Sequence, residues 1–243
     1  MNCNQTSYDV TCEWALEGLH ALRSVSDVLI VVDVLSFSTA VDIAVSRRAA
    51  VFPFRWRDAE AVAFAAKHGA VLAEVRGKAG YTLSPASVRS IAAGSRLVLP
   101  SPNGSTLCLS TGLVPTYTAC LRNASAVARS AAGRSSKIAV VPAGERWESG
   151  ALRPCVEDLI GAGAVVAQLP GRPSPEAEMA KVAFLEFRGR LRETLRSCVS
   201  GRELIERGFA EDVELASEYD VSAAAPILID GRFIDAISGV CGI

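Results

Sequence analysis

The sequence predicts a three-layer α/β/α fold with a largely parallel but mixed central sheet, followed by a helical C-terminal part that ends in a β-hairpin. Short apolar runs alternate with runs of helical pattern, and glycines follow several of the helical runs. Such alternation is typical of a parallel sheet covered on both faces. In addition, Asp230-Gly231 between two apolar runs is a strong hairpin signal. We expect a single α/β domain over residues 1–243.

The first two thirds of the chain supply the sheet and the helices that cover it. The predicted strands are Val28–Asp33, Ala50–Phe54, Ala70–Val75, Arg96–Pro100, Thr116–Ala119 and Lys137–Pro142. The predicted helices are Ser38–Arg47, Asp58–His68, Pro85–Ala93, Ser105–Ser110 and Asn123–Ala132, and His20 lies in a further helical run. Gly69, Gly94 and Gly133 directly follow three of these helices, where glycine commonly ends a helix.

The last third is richer in helical patterns. Helices are predicted over Pro154–Leu169, Pro175–Cys198, Gly201–Gly208 and Ala210–Tyr219, and hairpin strands over Pro226–Asp230 and Phe233–Ala236. The glycines of Gly161-Ala-Gly163 lie inside a helical run and not after a strand, so a dinucleotide site is not indicated. We expect them to allow close packing of this helix on the sheet.

Composition limits the class of protein. The chain has 243 residues, 50% of them hydrophobic, and a formal net charge of −1, so no overall basic field recruits nucleic acid. No signal pattern or membrane span is evident, and the seven scattered cysteines are typical of reduced thiols. We expect a cytoplasmic protein without membrane or nucleic-acid partners. The oligomeric state stays open, a homo-oligomer included.

Several catalytic chemistries are disfavoured. With only two histidines, the sequence gives little support to a Ser-His-Asp triad or a His-rich zinc site. No P-loop pattern occurs, and Asp33-Val-Leu-Ser36 lacks the second Asp of the haloacid dehalogenase type. What remains is oxygen chemistry, in which carboxylates at strand ends hold Mg²⁺ and N–H groups at helix starts hold phosphate.

The segment LVLPSPNGSTL (97–107) is open to two interpretations. Asn103-Gly104 supplies a tight turn cheaply, which is the ordinary explanation. Alternatively, the backbone N–H groups at this corner, where Ser105-Thr106 starts a helix, bind an anion. Similarly, Ser38-Thr39 follows Asp33 at a helix start, where the serine is either a cap or an anion ligand.

Acidic residues at other strand and helix ends are likewise open to a structural interpretation and a ligand-binding one. Glu74 and Glu145-Arg146 end strands, and Glu157-Asp158 lies in the first turn of a helix. Carboxylates in a first helical turn commonly complement the helix dipole. Because carboxyl ends of strands form ligand sites in open α/β sheets, each is also a candidate ligand.

A set of segments in collinear order gives a more specific signal. They are VVDVLSFSTAVDIAV (31–45), Glu74…Gly77-Lys78…Leu83-Ser84-Pro85, SPNGST (101–106), Asn123-Ala-Ser, PAGER (142–146) with EDLIGAGAVV (157–166), and SGRELIERGFAEDVELASEYD (200–220). Together they resemble the 2-phosphosulfolactate phosphatase family over most of the chain. The resemblance implies an α/β/α fold, dependence on Mg²⁺, and hydrolysis of the phosphate ester of 3-sulfolactate, a step of coenzyme M biosynthesis in archaea.

The resulting hypothesis assigns roles by position. Expected catalytic residues are Asp33, Glu145 and Glu157; expected Mg²⁺ ligands are Asp33, Glu157, Asp158 and Glu74; expected substrate-binding residues are Ser38, Thr39, Asn103, Gly104, Ser105, Thr106 and Arg146. Arg55, Arg57 and Arg76 near strand ends are further candidates for binding the carboxylate or sulfonate. One carboxylate is expected to act as general base or acid.

Two departures from the family pattern leave alternatives open. Family members often carry Arg where this chain has Ser36, and His in the segment that here reads Cys198-Val-Ser-Gly201. The alternatives are a phosphatase for another phosphorylated hydroxy acid, or a binding or regulatory protein that retains the anion pocket without turnover.

Overall fold

The computed structural model describes residues 5–237 and contains the predicted α/β/α arrangement. In chain order the strands are β1 Val10–Cys12, β2 Val28–Val32, β3 Ala50–Phe54, β4 Val71–Leu72, β5 Arg96–Pro100, β6 Thr116–Ala119, β7 Ile138–Pro142, β8 Glu145–Arg146, β9 Leu152–Arg153, β10 Pro226–Ile229 and β11 Arg232–Asp235. The α-helices are α1 Ala15–Leu22, α2 Phe37–Ser46, α3 Ala59–Lys67, α4 Gly104–Cys108, α5 Ala124–Ala132, α6 Val156–Val166, α7 Pro175–Phe187, α8 Leu191–Ser197, α9 Val199–Glu206 and α10 Ala210–Ala216. Short 3₁₀ helices cover Pro85–Val88, Leu121–Asn123 and Arg188–Arg190.

The main sheet is mixed and has the order β1-β7-β2-β6-β10-β11-β3-β5-β4. Two parallel groups, β1-β7-β2-β6 and β3-β5-β4, are joined by the C-terminal hairpin, whose strands pair antiparallel with β6 and with β3. The hairpin turn at Asp230-Gly231 has positive φ at both residues, as the sequence predicts. The hairpin therefore completes the centre of the sheet and is not an appendage.

The sheet is strongly curved. Three antiparallel pairings lie between β6 and β3, so β2 and β5 run in opposite directions. In a flat sheet their carboxyl ends would therefore lie at opposite edges. Nevertheless, the N–H of Gly104, which follows β5, donates to the Asp33 side chain, which follows β2. The twist accumulated along the sheet brings the two ends together. The curve also encloses α2, which is buried from Phe37 to Val45.

The two faces of the sheet pack against different helices. Alternate residues of β2 separate into two cores: Val28, Ile30 and Val32 pack with residues of α5, α6 and α7, whereas Val31 packs with residues of α1 and α2. This is the period of two expected of a strand buried on both faces. The sheet thereby holds α2 and α6, whose first turns carry the predicted site, on opposite faces.

The glycines of α6 make close contacts, as predicted. A Cβ on Gly161 would lie 2.5 Å from the Val34 side chain, so this position packs against the end of β2. A Cβ on Gly163 would lie 1.9 Å from the carbonyl oxygen of Ala180, so the contact here is with α7 and not with the sheet. Both positions need glycine because the neighbouring atoms leave no room for a side chain.

Four sequence predictions need correction. The single helix predicted over Pro175–Cys198 is interrupted by the 3₁₀ turn at Arg188–Arg190 and is two helices, α7 and α8. The helix predicted over Pro85–Ala93 is a 3₁₀ helix of four residues. Strand β4 is shorter than the predicted Ala70–Val75, because only two residues pair with β5. Strands β1, β8 and β9 were not predicted, since each has only two or three residues.

Candidate active site

The turn after β2 presents Asp33, whose exposure is 7%. The Asp33 N–H donates to Ser38 Oγ at 2.9 Å, and the Ser38 N–H donates to the Asp33 carbonyl at 2.8 Å. Ser38 Oγ also shares a hydrogen bond with Thr118 Oγ1, while Thr39 Oγ1 donates to the Val34 carbonyl. These internal bonds hold the turn rigidly, and they engage the hydroxyl groups of Ser38 and Thr39.

The corner at Asn103-Gly104 donates hydrogen bonds to carboxylate side chains of the same chain. The Gly104 N–H donates to Asp33 Oδ2 at 2.9 Å, at the start of α4. Asn103 Nδ2 donates to Glu145 Oε2 at 2.8 Å, and Ser105 Oγ donates to the Leu99 carbonyl. The corner thus fixes two carboxylates, one after β2 and one after β7.

The first turn of α6 adds two buried carboxylates. Asp158 accepts the Val34 N–H on Oδ1 and the Gly144 N–H on Oδ2, both at 2.8 Å. It therefore ties the segments after β2 and β7 to each other. Glu157 is buried beside it, with 3% exposure.

The carboxylates repel one another in a region from which water is largely excluded. Burial, and then the charge of Glu145, raise the pKa of Asp33 to about 7, against the opposing hydrogen bonds from Gly104 and Phe37. Burial, followed by the charges of Asp33 and Glu157, raises the pKa of Asp158. Burial also raises the pKa of Glu145. Such shifts favour binding of either a proton or a cation at this cluster.

A pocket of about 340 Å³ opens beside the cluster, lined by Leu35 and Glu145. Its other walls carry three arginines, Arg57, Arg76 and Arg207, and two further glutamates, Glu74 and Glu203. The site therefore combines an acidic end with walls that carry both arginines and glutamates. A pocket of this size accepts a small organic molecule.

Comparison with known proteins decides the family. A sequence model described as 2-phosphosulpholactate phosphatase matches residues 15–231. The chain belongs to this family. It is 30% identical over 213 residues to the 2-phosphosulfolactate phosphatase of Methanothermobacter thermautotrophicus, covering 85% of this chain and 89% of the other. It is also 25% identical over 212 residues to a probable 2-phosphosulfolactate phosphatase of Pseudothermotoga lettingae, covering 85% and 92%.

Membership of the 2-phosphosulfolactate phosphatase family confirms the predicted enzyme class, that of phosphoric monoester hydrolases. The predicted family and fold class are confirmed as well. In the part of the chain that the structure describes, no helix is long and apolar enough to span a membrane.

The structure brings most of the predicted site residues of this phosphatase-family chain to one region. Asp33, Gly104, Asn103, Glu145 and Asp158 are connected by the hydrogen bonds described above, and Glu157 is next to Asp158. Their predicted roles in catalysis and binding stay predictions.

Other predicted residues lie at the margin. Glu74 lines the pocket wall, where its Oε1 accepts from Arg57 Nη2 at 2.7 Å. Arg146 is exposed on the β8–β9 hairpin and donates to the Gly150 carbonyl. Thr106 and Arg146 both line a second, much smaller pocket, which Asn103 and Glu145 also line. A contact of Arg146 with a substrate in the larger pocket needs its side chain to turn away from Gly150.

An arginine lies beside Ser36, the position at which we expected an arginine from the family resemblance. Arg76 Nη2 donates to Ser36 Oγ at 2.6 Å and to the Leu83 carbonyl, while Nη1 is paired with Asp212. Asp212 is buried and also accepts from Ser84 and from the Ala86 N–H. A guanidinium group therefore stands beside Ser36, supplied by a residue forty positions later.

Three site residues were missed by the sequence analysis, namely Arg153, Ser200 and Arg207. Arg153 ends β9, the second strand of the β8–β9 hairpin, and has Nη2 3.5 Å from Ser200 Oγ and 3.4 Å from Glu203 Oε2. Ser200 and Arg207 come from α9 and its C-terminal end and line the pocket. For Ser200 and Arg207 the available signal was the matching segment 200–220, which does not show which of its residues face the site; Arg153 lies outside the matching segments.

The acidic end offers oxygen ligands of the type that Mg²⁺ takes, without a preformed cage among the residues that the structure describes. Mg²⁺ commonly takes one or two carboxylates and keeps several water molecules. Within residues 5–237 no group of three or more His, Cys, Asp and Glu side chains is arranged as a ready-made metal cage. Asp33 and Glu145, whose pKa values are raised by burial, are nevertheless acidic oxygen donors beside a pocket that admits water. Asp158 has both oxygens bonded to backbone N–H groups at 2.8 Å and is better placed as a support, whereas Asp33 Oδ1 accepts only a longer bond, from the Phe37 N–H at 3.4 Å.

The stability of the metal-free protein is expected to rise as the pH is lowered from about 8 to about 5. The pKa of Asp33 is about 7 in the folded protein, whereas an ordinary aspartate has a pKa of 3.8. Between pH 3.8 and about pH 7 the folded protein therefore binds more protons than the unfolded chain. Stability is then lost as the pH rises through the folded pKa. Thermal unfolding in EDTA across this range measures the effect. Asp33→Asn should flatten the slope; equal slopes in the two proteins would contradict the assignment.

Proposed function

We propose that the chain hydrolyses 2-phosphosulfolactate to 3-sulfolactate and inorganic phosphate, and that it depends on Mg²⁺. The observation that carries the proposal is the Glu145 carboxylate, whose charge acts on the buried Asp33, at the edge of a pocket lined by three arginines. A ligand with a phosphate and further acidic groups matches an acidic end that attracts a cation and arginines that bind acid groups. The family and the names of both relatives support this substrate.

Each part of the site has a role in this proposal. Asp33 would hold Mg²⁺ with Glu157, with Asp158 orienting the segments that carry these side chains. When bound, Mg²⁺ supplies neutralisation of negative charge on the phosphate oxygens. Gly104 fixes the Asp33 carboxylate through its N–H at 2.9 Å. The arginine wall binds the remaining acidic groups of the substrate.

Glu145 is the residue we assign as general base. Asn103 orients its carboxylate at 2.8 Å, and burial raises its pKa, which makes it a better proton acceptor than an exposed glutamate. It would take a proton from the attacking water as that water approaches the phosphorus in line with the leaving alkoxide. The remainder of catalysis comes from positioning and charge neutralisation, as is usual for phosphoryl transfer.

The wider setting is part of the same proposal. Hydrolysis of this ester would place the chain in coenzyme M biosynthesis, in the cytoplasm, as the family resemblance implies.

Phosphate release from a panel of small esters tests the proposed function. The panel contains 2-phosphosulfolactate, 2-phospholactate, phosphoglycolate and an aryl phosphate, each assayed with Mg²⁺ and with EDTA. We expect release that is fastest from the sulfonated ester and is abolished by EDTA. Selective release from another ester would replace the substrate and retain the reaction class. Release from none, with the protein folded and Mg²⁺ present, would favour a binding protein instead.

A further inference from the structure

The pocket wall presents an arginine that the protein itself does not neutralise. Most charged groups around the pocket are paired internally: Arg57 with Glu74, Arg76 with Asp212, and Arg153 with Glu203. Within the described ranges of the chain, no carboxylate lies within 4.0 Å of the Arg207 guanidinium. Arg207 is exposed and lines the pocket. Its donors are therefore available to a bound ligand.

The fold holds Arg207 next to a second cation. The guanidinium carbon of Arg76 is 5.0 Å from the centroid of the Phe209 ring, and that of Arg207 is 5.9 Å from the same centroid. The two like charges repel each other, and Asp212, which pairs with Arg76, offsets this repulsion only in part. Burial, together with the charge of Arg207, lowers the pKa of Arg76 despite the opposing effect of Asp212. This repulsion persists in the absence of a ligand, which favours binding of an anion.

The internal pairing leaves the pocket with two unneutralised ends. Glu145, beside Asp33, is the acidic end, and Arg207 is the basic end. The phosphate of a phosphomonoester belongs at the acidic end, because the Mg²⁺ that we propose for this end would neutralise it. Any further acid group on the same molecule then faces the Arg207 side, where a planar guanidinium can bind a carboxylate or sulfonate with two parallel hydrogen bonds.

From this arrangement we propose that Arg207 is the specificity-determining residue that binds the second strong-acid group of the substrate, with Arg76 and Arg57 as the flanking walls of that subsite. The proposal rests on the proposed function, since it takes the phosphate end as the reacting end. The C-terminal end of α9 then discriminates between esters that differ only in their acid groups.

Arg207→Gln tests the proposal, with Arg129→Gln as matched control, because Arg129 is exposed on α5 and does not line the pocket. For the sulfonated ester we expect KM to rise by about 10- to 100-fold, with kcat changed by less than about threefold. For the aryl phosphate, which lacks a second acid group, KM should not change. The control should match the wild-type protein on every ester. Equal losses of kcat on all esters, or an unchanged KM for the sulfonated ester, would overturn the assignment.

A binding measurement separates failure of this proposal from failure of the proposed function. Calorimetric titration with 3-sulfolactate, which has the acid groups and no phosphate, needs no turnover. Arg207→Gln is expected to weaken this binding by about 10-fold or more, and Arg129→Gln to leave it unchanged. If the wild-type protein hydrolyses no ester while this difference is observed, the proposed function is wrong and the subsite stands. If both proteins bind 3-sulfolactate equally well, the subsite is overturned whatever the turnover.

Discussion

Replacing Asp33 by Asn is expected to lower kcat for ester hydrolysis by about 10²- to 10⁴-fold, with the protein still folded. Asparagine has nearly the same shape, and its side-chain oxygen can still accept the Gly104 N–H that Asp33 Oδ2 accepts at 2.9 Å. What is removed is the negative charge that we expect to bind Mg²⁺. The measurement is kcat and KM at saturating Mg²⁺, beside a thermal unfolding curve.

The stability of the same variant gives a second readout. Because burial and Glu145 raise the pKa of Asp33 to about 7, the charged form is destabilising above that pH in the metal-free protein. Asp33→Asn should therefore unfold at the same or a higher temperature than the wild type at about pH 8. Loss of activity with gain of stability is typical of a residue retained for function.

Asp42→Asn is the matched control for a buried aspartate. Asp42 is fully buried on α2, but it accepts from Arg122 Nε at 2.9 Å and from Ser222 Oγ at 2.6 Å. Its removal leaves a largely buried arginine with a weakened partner, so we expect a lower unfolding temperature and little change in kcat of the folded protein. Full activity in Asp33→Asn, or the same loss of kcat in both variants, would contradict the assigned role.

Much of the sheet could be predicted because its central strands are buried on both faces. The runs at β2 and β7 are continuously apolar, as is β5 after Arg96, and burial on both faces makes such a run recognisable without its neighbours. The Asp230-Gly231 turn similarly requires a local backbone conformation that few residues adopt. The curvature of the sheet could not be predicted in this way, since it results from pairings between strands far apart in the sequence.

Helix interruptions and short strands depend on tertiary contacts. The run from Pro175 to Cys198 is helical in composition except at Gly189, which lies in the 3₁₀ turn between α7 and α8. At the end of this run Cys198 has ψ 162° and accepts the Gly201 N–H on its sulfur as the N-cap of α9. Gly201 fits there because a side chain would meet the Leu195 carbonyl. The choice between continuing a helix and starting another is made by packing, which a single sequence does not show.

The candidate site was predictable where it depends on strand ends and not where it depends on helices from the C-terminal part. Asp33 and Glu145 each follow a strand, and this position alone suggested a ligand role. Arg207 and Ser200 reach the pocket from α9, and nothing in their spacing indicates which face of that helix meets the sheet. At Asn103-Gly104 the structure combines the two interpretations given for this segment. The corner is a turn, and the Gly104 N–H binds a carboxylate of the same chain.

Gly104→Ala is expected to lower kcat by about 10²-fold and the free energy of unfolding by about 1–3 kcal/mol. A Cβ at this position would lie 2.4 Å from Phe37 Cδ1 and 2.7 Å from Asp33 Oδ2. The Phe37 ring is fully buried and cannot move aside, so either the corner or the Asp33 carboxylate must shift. Since alanine retains the backbone N–H, any loss of kcat reports displacement and not loss of a donor.

Gly189→Ala is the control for this substitution, because a Cβ there meets no heavy atom within 4 Å and the residue has no left-handed φ. We expect wild-type kcat and unfolding temperature in the control, and a lower value of both in Gly104→Ala. Measuring Mg²⁺ dependence in the two variants then locates the effect. If the shift of Asp33 is the cause, Gly104→Ala should need more Mg²⁺ for half-maximal activity than Gly189→Ala. Wild-type kcat in Gly104→Ala would show instead that the contact between Gly104 and Asp33 does not position the catalytic carboxylate.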